Sequence, residues 1–277
     1  MAKTWLITGV SSGLGRALAE AALAAGDRVA GTARREADVA AFADLAPGRA
    51  FGVRMDVTDE AAVANGVAEA EAALAGIDVL VNNAGYGLVG AIEETSLAEA
   101  RAQFEANVFG PLALIRAVLP SMRARGAGHV INITSVSGLA AWSGTGVYCA
   151  SKFALEALGE TLAQEVAPLG IKVTNVAPGG LRTDYAGRSM LRAATLIEDY
   201  AGTAHEAPRL LGEYAGHESG DPARAAQAIL TLAAMSAPPL HLLLGADAIH
   251  YATRKIGQLT AEIGDHVALS TGIAFPD

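Results

Sequence analysis

Hydrophobic positions along the chain fall into two alternating textures. Short, nearly continuous apolar runs rich in β-branched residues cover 4–8, 28–33, 50–54, 79–82, 129–134, 172–177 and 240–244. Between them lie longer, Ala-rich stretches with apolar residues at helical spacing: 13–25, 60–75, 97–125, 147–167, 222–235 and about 249–263. The short runs show little alternation of polar and apolar positions, as expected of strands buried on both faces. Strands and helices alternating at this interval predict βαβ units, hence a parallel sheet covered on both sides. Turn residues agree with these boundaries. Gly26 can end the first helix in a left-handed conformation, and Asp59 can cap the helix that follows it. Pro178-Gly179-Gly180 stops the sixth strand. The alternation runs from residue 3 to about 244 with no linker, repeat or low-complexity tract, which predicts one domain over 1–277.

One stretch breaks the rhythm. Residues 184–219 stand where a strand-to-helix connection would be short, and they are partly helical by pattern. Connections longer than ~12–15 residues are usually functional or disordered. This one is expected to be a substrate lid inserted in the domain.

Composition then narrows the classes. The chain has 277 residues, 52% of them apolar and 18% charged, which suits a buried core and excludes intrinsic disorder. A single Cys excludes an internal disulfide framework and a Cys-based zinc cluster. His129, His205, His217, His241, His250 and His266 show no H-x-x-x-H spacing, so no metal site is expected. The net charge of -9 argues against binding a nucleic-acid backbone, which needs clustered Lys and Arg. No run approaches the ~18 apolar residues of a membrane span, and residues 1–10 lack the length of a signal peptide. A cytoplasmic location is the expectation.

The chemistry begins at the first strand-to-helix turn, Thr8-Gly9-Val10-Ser11-Ser12-Gly13-Leu14-Gly15. Three glycines there permit a tight turn and close approach of a pyrophosphate, and the amides at a helix N-terminus attract anions. The sheet is therefore read as a Rossmann-type doubly wound sheet with about seven strands, helices on both faces and a helical lid. The spacing T-G-x-x-x-G-x-G differs from the common dinucleotide fingerprint. It resembles that of the short-chain dehydrogenase/reductases, in their single-domain branch. Further pieces follow in that family's order. Asp56 and Val57 follow the third strand, and Asn82-Asn83-Ala84-Gly85 closes the fourth. Asn107 lies in the long fourth helix, and Ser135 ends the fifth strand. Tyr148 and Lys152 form a Y-x-x-x-K pair. Pro178-Gly179 and Thr183 follow the sixth strand. The set spans residues 4–183. Segments 82–87, 178–189 and 32–34 look most like the 17β-hydroxysteroid and retinol dehydrogenase-like subgroup.

The resemblance implies a nicotinamide cofactor held by Gly9, Ser11, Ser12, Gly13, Leu14, Gly15, Asp56, Val57, Asn83, Ala84, Gly85, Tyr148, Lys152, Pro178, Gly179 and Thr183. Which nicotinamide is read at the end of the second strand. NAD enzymes of this type usually place an acid there for the ribose hydroxyl. Here the position is Ala33, followed by Arg34 and Arg35. A guanidinium suits the adenosine 2′-phosphate, so NADP(H) is expected, mainly through Arg34, with NAD(H) the second choice.

Tyr148 and Lys152 are four apart in a helix and share one face. An isolated tyrosine, with a pKa near ~10, supplies little phenolate at neutral pH. A nearby ammonium favours the phenolate. Tyr148 is thus the expected general acid for carbonyl reduction and general base for alcohol oxidation. By resemblance, Lys152 also bonds the nicotinamide ribose, Ser135 holds the substrate oxygen, and Asn107 binds a water linking Lys152 to solvent. Trp142, Tyr185 and Met190 are expected to wall the substrate pocket together with Ser135. Cys149 reads as a packed thiol.

These residues predict a reductase of ketones or aldehydes that runs the reverse alcohol oxidation, on a hydrophobic substrate. A dinucleotide sensor without catalysis would tolerate loss of Tyr148 or Lys152, and both are present. A sugar-nucleotide epimerase would be longer, with T-G-x-x-G-x-x-G spacing. The family's helix pairing across a two-fold axis implies a homodimer or homotetramer, with the tail from about 245 to 277 at the pocket entrance or the interface.

Overall fold

The computed structural model describes residues 2–183, 189–213 and 215–275. Its first half comprises β1 (Thr4–Thr8), α1 (Gly13–Ala24), β2 (Arg28–Ala33), α2 (Glu36–Ala43), β3 (Ala50–Arg54), α3 (Glu60–Leu74) and β4 (Val79–Asn82). There follow β5 (Gly87–Val89), α4 (Leu97–Phe104), α5 (Gly110–Arg125), β6 (Gly128–Ile133), α6 (Gly146–Val166) and β7 (Ile171–Pro178). The last part holds β8 (Met190–Arg192), α7 (Glu206–Glu213), α8 (Pro222–Ala234), β9 (His241–Leu244), α9 (Ala246–Asp265) and α10 (Val267–Thr271).

The expected doubly wound sheet is present. Seven strands pair in the order β3-β2-β1-β4-β6-β7-β9, all parallel. Each strand sends alternate side chains to opposite faces. Trp5, Ile7, Val79, Val81, Ile131 and Ile133 pack with α1 and α8 in one core. Leu6, Leu80 and Val130 pack with α3, α5 and α6 in the other. The strand order reverses between β1 and β4, and in open sheets of this kind ligands bind beyond the strand C-termini at that reversal.

The anticipated boundaries hold at several points. Gly26 ends α1 with φ +92°, and Asp59 caps α3 by accepting from the amides of Ala61 and Ala62. Two features differ from the pattern reading. The stretch read as one helix over 97–125 is three: α4, a π-helical turn at Glu105–Phe109, and α5. α2 was not anticipated, because of its eight residues only Phe42 is buried and no apolar stripe marks it. Beyond the main sheet, β5 and β8 form a small parallel pair, too short for any period to show.

Candidate active site

The glycine turn is built for an anion. Gly9 and Gly13 have φ +74° and +61°, a region that L side chains rarely enter. A Cβ on Gly15 would run into the Asn83 side-chain amide and the Gly9 carbonyl. Ser12 takes the N-cap position of α1 without a side-chain cap bond, and no acid stands in the first turn. The first amides of α1 therefore face outward without an intrahelical acceptor or a nearby negative charge. A pyrophosphate fits this donor set.

The reversal point beside the turn is stitched by Thr8 and Asn83. The Thr8 hydroxyl accepts from the Asn83 and Ala84 amides at 3.0 and 2.9 Å. The Asn83 side-chain amide donates to the Thr8 and Gly9 carbonyls at 2.8 and 3.3 Å. Asn83 thus fixes the loop with its side chain and its amide, and the Ala84 amide adds a further tie to Thr8. Thr183 lies over the turn, with its Cβ 3.7 Å from where a Gly13 Cβ would be. Leu14 is buried under the turn, while Ser11 is exposed. Arg34 is exposed just past β2. Arg35 instead pairs with Asp38, at 2.6 and 2.7 Å. Asp56 closes a local turn, accepting from the Thr58 amide at 3.0 Å and hydroxyl at 2.8 Å. Val57 abuts Gly110 at the start of α5.

Lys152 is the centre of the candidate catalytic group. It is buried, and its Nζ donates to the Ile133 carbonyl at 2.9 Å. Burial lowers its pKa to about 8, and Glu156, one turn along α6, opposes that shift. The ammonium lies 6.0 Å from the centre of the Tyr148 ring. Ser135, two residues past Ile133, accepts the Ser137 amide on its hydroxyl at 3.0 Å. Asn107 sits in the π-helical turn. Its side chain accepts from the Tyr86 amide at 3.2 Å and donates to the Tyr86 carbonyl and Ser151 hydroxyl at 3.0 and 3.1 Å. Asn107 Oδ1 and Lys152 Nζ both border the space a Cβ on Gly85 would take, at 2.8 and 3.9 Å. The four groups therefore converge at the C-terminal ends of β4 and β6.

Beneath them runs a buried polar row. Asn82, Asn132, Asn175 and His241 stand side by side on β4, β6, β7 and β9. Asn82 donates to Asn132 at 2.9 Å, and Asn132 to Asn175 at 3.0 Å. Asn175 donates to the Glu156 carboxylate at 2.7 Å. His241 lies between Glu156 and Glu160, at 3.3 and 3.6 Å. Burial pushes the Glu156 carboxyl above its ordinary pKa.

Of the residues expected at the pocket wall, Ser135, Trp142 and Met190 are among the described residues. Trp142 Nε1 donates to the Ser137 hydroxyl at 3.1 Å, which links it to Ser135. Its ring meets Tyr251 of α9 edge-on, with centroids 4.5 Å apart. Met190 opens β8, in register with Gly87. Tyr185 lies outside the described residues. Pro178 ends β7, and the Gly179 amide donates to the Leu244 carbonyl at 2.8 Å. Asp247 of α9 accepts the Gly180 amide at 2.7 Å. The tail thus reaches the site through Asp247 and Tyr251, neither of which any local motif signalled. Cys149 is buried beside Thr145, as a packed thiol should be.

A second group that sequence alone missed is a set of acids holding the segment after residue 189. Buried Glu94 accepts from the Ala91 and Ile197 amides at 2.7 and 2.6 Å and contacts His205 at 2.7 Å. Glu99 caps α4 with Ser96 and also accepts the Ala194 amide at 2.9 Å. The Tyr200 hydroxyl donates to Glu93 at 2.5 Å. The Ile197 amide, despite opposing burial and with help from Ala91 and His205, holds the Glu94 pKa down to about 2.

Comparison with known proteins agrees with this geometry. A family profile described as short chain dehydrogenase matches residues 3–192. The chain is 39% identical over 262 residues to oxidoreductase BOA17 of Botryotinia fuckeliana, covering 94% of this chain and 95% of that one. It is 38% identical over 214 residues to human retinol dehydrogenase 8, covering 74% and 66%. A crystal structure of a short-chain dehydrogenase from Streptomyces avermitilis superposes with a TM-score of 0.92 at 44% identity, covering 99% of both chains.

Proposed function

This chain belongs to the short-chain dehydrogenase family, an oxidoreductase using a nicotinamide dinucleotide, and on that premise we propose that it is an NADP(H)-dependent reductase of hydrophobic ketones or aldehydes. The observation that carries the reading is the convergence of Tyr148, Lys152, Ser135 and Asn107 beside a glycine turn that fits a pyrophosphate. A nicotinamide dinucleotide held at the glycine turn would supply the hydride, and the rest is done by the chain. Ser135 and Tyr148 hold the carbonyl oxygen, and charge developing there is met by donors fixed in advance. Tyr148 delivers the proton, with the buried Lys152 ammonium favouring the phenolate left behind. The Ile133 carbonyl aims Lys152. Both ends of the Asn107 side chain are engaged with Tyr86 and Ser151. A relay water at Asn107 is therefore held by main chain, in the widened π turn.

NADP(H) is favoured over NAD(H) because Ala33 replaces the ribose-binding acid and Arg35 is drawn to Asp38, so Arg34 is the guanidinium offered to a 2′-phosphate. The described segment after residue 189 acts as the lid over a pocket walled by Ser135, Trp142 and Met190. The likeness to a retinol dehydrogenase and the aromatic wall favour a hydrophobic substrate. Exposed Phe109 and Phe153 on the α5–α6 side suit two-fold pairing, giving a homodimer or homotetramer. Among the described residues no helix is long and apolar enough to cross a membrane, and a cytoplasmic location is part of this proposal.

Fluorescence titration with NADPH and with NADH tests the cofactor assignment. NADPH is expected to bind more tightly, and Arg34→Ala to weaken NADPH alone by about tenfold or more, as loss of a charge-assisted phosphate contact should. Equal or tighter NADH binding would overturn it in favour of an NAD-dependent alcohol dehydrogenase.

A further inference from the structure

The two halves of α9 have different surroundings. The first turns are built into the body: Asp247 holds Gly180, Ala248 and Ala252 are buried, and Tyr251 meets Trp142. Past Ala252, every described residue to Phe275 is exposed except Lys255, which is half-buried. Yet this outer half is not polar all round. Ile249, Ile256 and Ile263 recur every seventh residue, with Leu259 between the last two. They are 55, 63, 61 and 47% exposed. Apolar positions at this interval make the seam of a two-helix coiled coil. The same half contains Gly257 and Gly264, both poor helix formers. A short helix of this kind, surrounded by water, is marginal without tertiary packing, so the stripe needs a cover.

The flanking charges indicate which cover. Lys255 and Glu262 each precede a seam isoleucine and so occupy the same edge of the stripe. Thr253 and Thr260 occupy the other edge. If a second copy of the helix lies antiparallel, the charged edges meet, and Lys255 of each copy faces Glu262 of the other. A parallel pairing would set the charged edges against threonines. An anionic lipid surface is disfavoured, because the helix carries Arg254 and Lys255 against Asp247, Glu262 and Asp265.

We propose that the outer half of α9 is a self-association arm. Two copies pair antiparallel through Ile256, Leu259 and Ile263, with reciprocal Lys255–Glu262 ion pairs along one edge. The inference stands apart from the catalytic reading, although the arm springs from the helix whose first turns hold the pocket wall.

Light scattering and sedimentation of the full chain at tens of micromolar test it. Ile256→Glu should halve the mass of the assembly, since the side chain is 63% exposed and lies on the proposed seam. Glu262→Lys should weaken association at least about tenfold by setting like charges across the seam. Adding Lys255→Glu should restore it. A wild-type monomer of 28.1 kDa would overturn the proposal. So would an unchanged mass in Ile256→Glu, or a double variant that associates no better than the single one. Binding to phosphatidylcholine vesicles, abolished by Ile256→Glu with no change in mass, would assign the stripe to lipid instead.

Discussion

The floor of the site and the segment we propose as its lid are held by different means. The floor is fixed at strand ends. Thr8 and Asn83 lock the reversal point, the Ile133 carbonyl aims Lys152, and a buried row of Asn82, Asn132 and Asn175 ties three strands to Glu156 of α6. The segment proposed as the cover, from 189 to 213, holds only short elements, β8 and α7, and leans on three carboxylates, Glu93, Glu94 and Glu99. Proton transfer and charge stabilisation require groups fixed before the substrate arrives. Substrate entry requires a segment able to open at low cost, and such segments come from the less stable end of a protein's range. The contrast is between parts that must not move and a part that must.

Breaking the floor should have the larger effect. Gly15→Ala places a Cβ against Asn83 and Gly9, and the turn must shift to admit it. Dinucleotide binding should weaken by about a hundredfold, the upper range for overpacking a rigid site, as read by fluorescence titration. Breaking the cover should act differently. Glu94→Ala removes the acceptor shared by Ala91, Ile197 and His205. The substrate KM should rise about tenfold, as expected of several lost charge-assisted hydrogen bonds, with dinucleotide affinity unchanged and proteolysis faster between 189 and 213.

The same carboxylate sets an acid limit. Its folded pKa of about 2 lies below its ordinary 4.5, so its stabilisation is complete above 4.5 and is lost as pH falls towards 2. Hydrogen exchange at the Ile197 amide should follow that window, while the amides of β4 and β6 should not. The smallest expected effect sharpens the floor. Lys152, with a pKa of about 8, should give kcat/KM for reduction an alkaline limb near that value. Glu156→Gln should move the limb to lower pH, because the carboxylate favours the lysine's charge. A limb that does not move would deny Glu156 any influence on Lys152.

The same division decides what could be read in advance. The glycine turn, the Y-x-x-x-K pair and the strand ends are local patterns, and each is legible in the sequence alone. Asn107 falls within a stretch that reads as one helix, and it lies in a π-helical turn. Glu94, Asp247 and Tyr251 were not anticipated, because each acts on a partner far along the chain. Glu94 meets Ile197 at a separation of 103 residues, and Asp247 meets Gly180 at 67. Nothing in the spacing of a lone acid announces such a partner. The buried row was hidden for a related reason. Asn132 and Asn175 stand among other polar positions of their strands, His129 in β6 and Lys172 and Thr174 in β7, and only the sheet register sets the two asparagines side by side.

The central claim is that Tyr148 transfers the proton while the glycine turn carries most of the dinucleotide's binding. Single-turnover reduction by Tyr148→Phe, measured beside its NADPH affinity, tests this most directly. The account predicts affinity within about twofold of wild type and a rate lowered by about a thousandfold, within the range for losing a general acid. A rate close to wild type in a variant that still binds NADPH would contradict it.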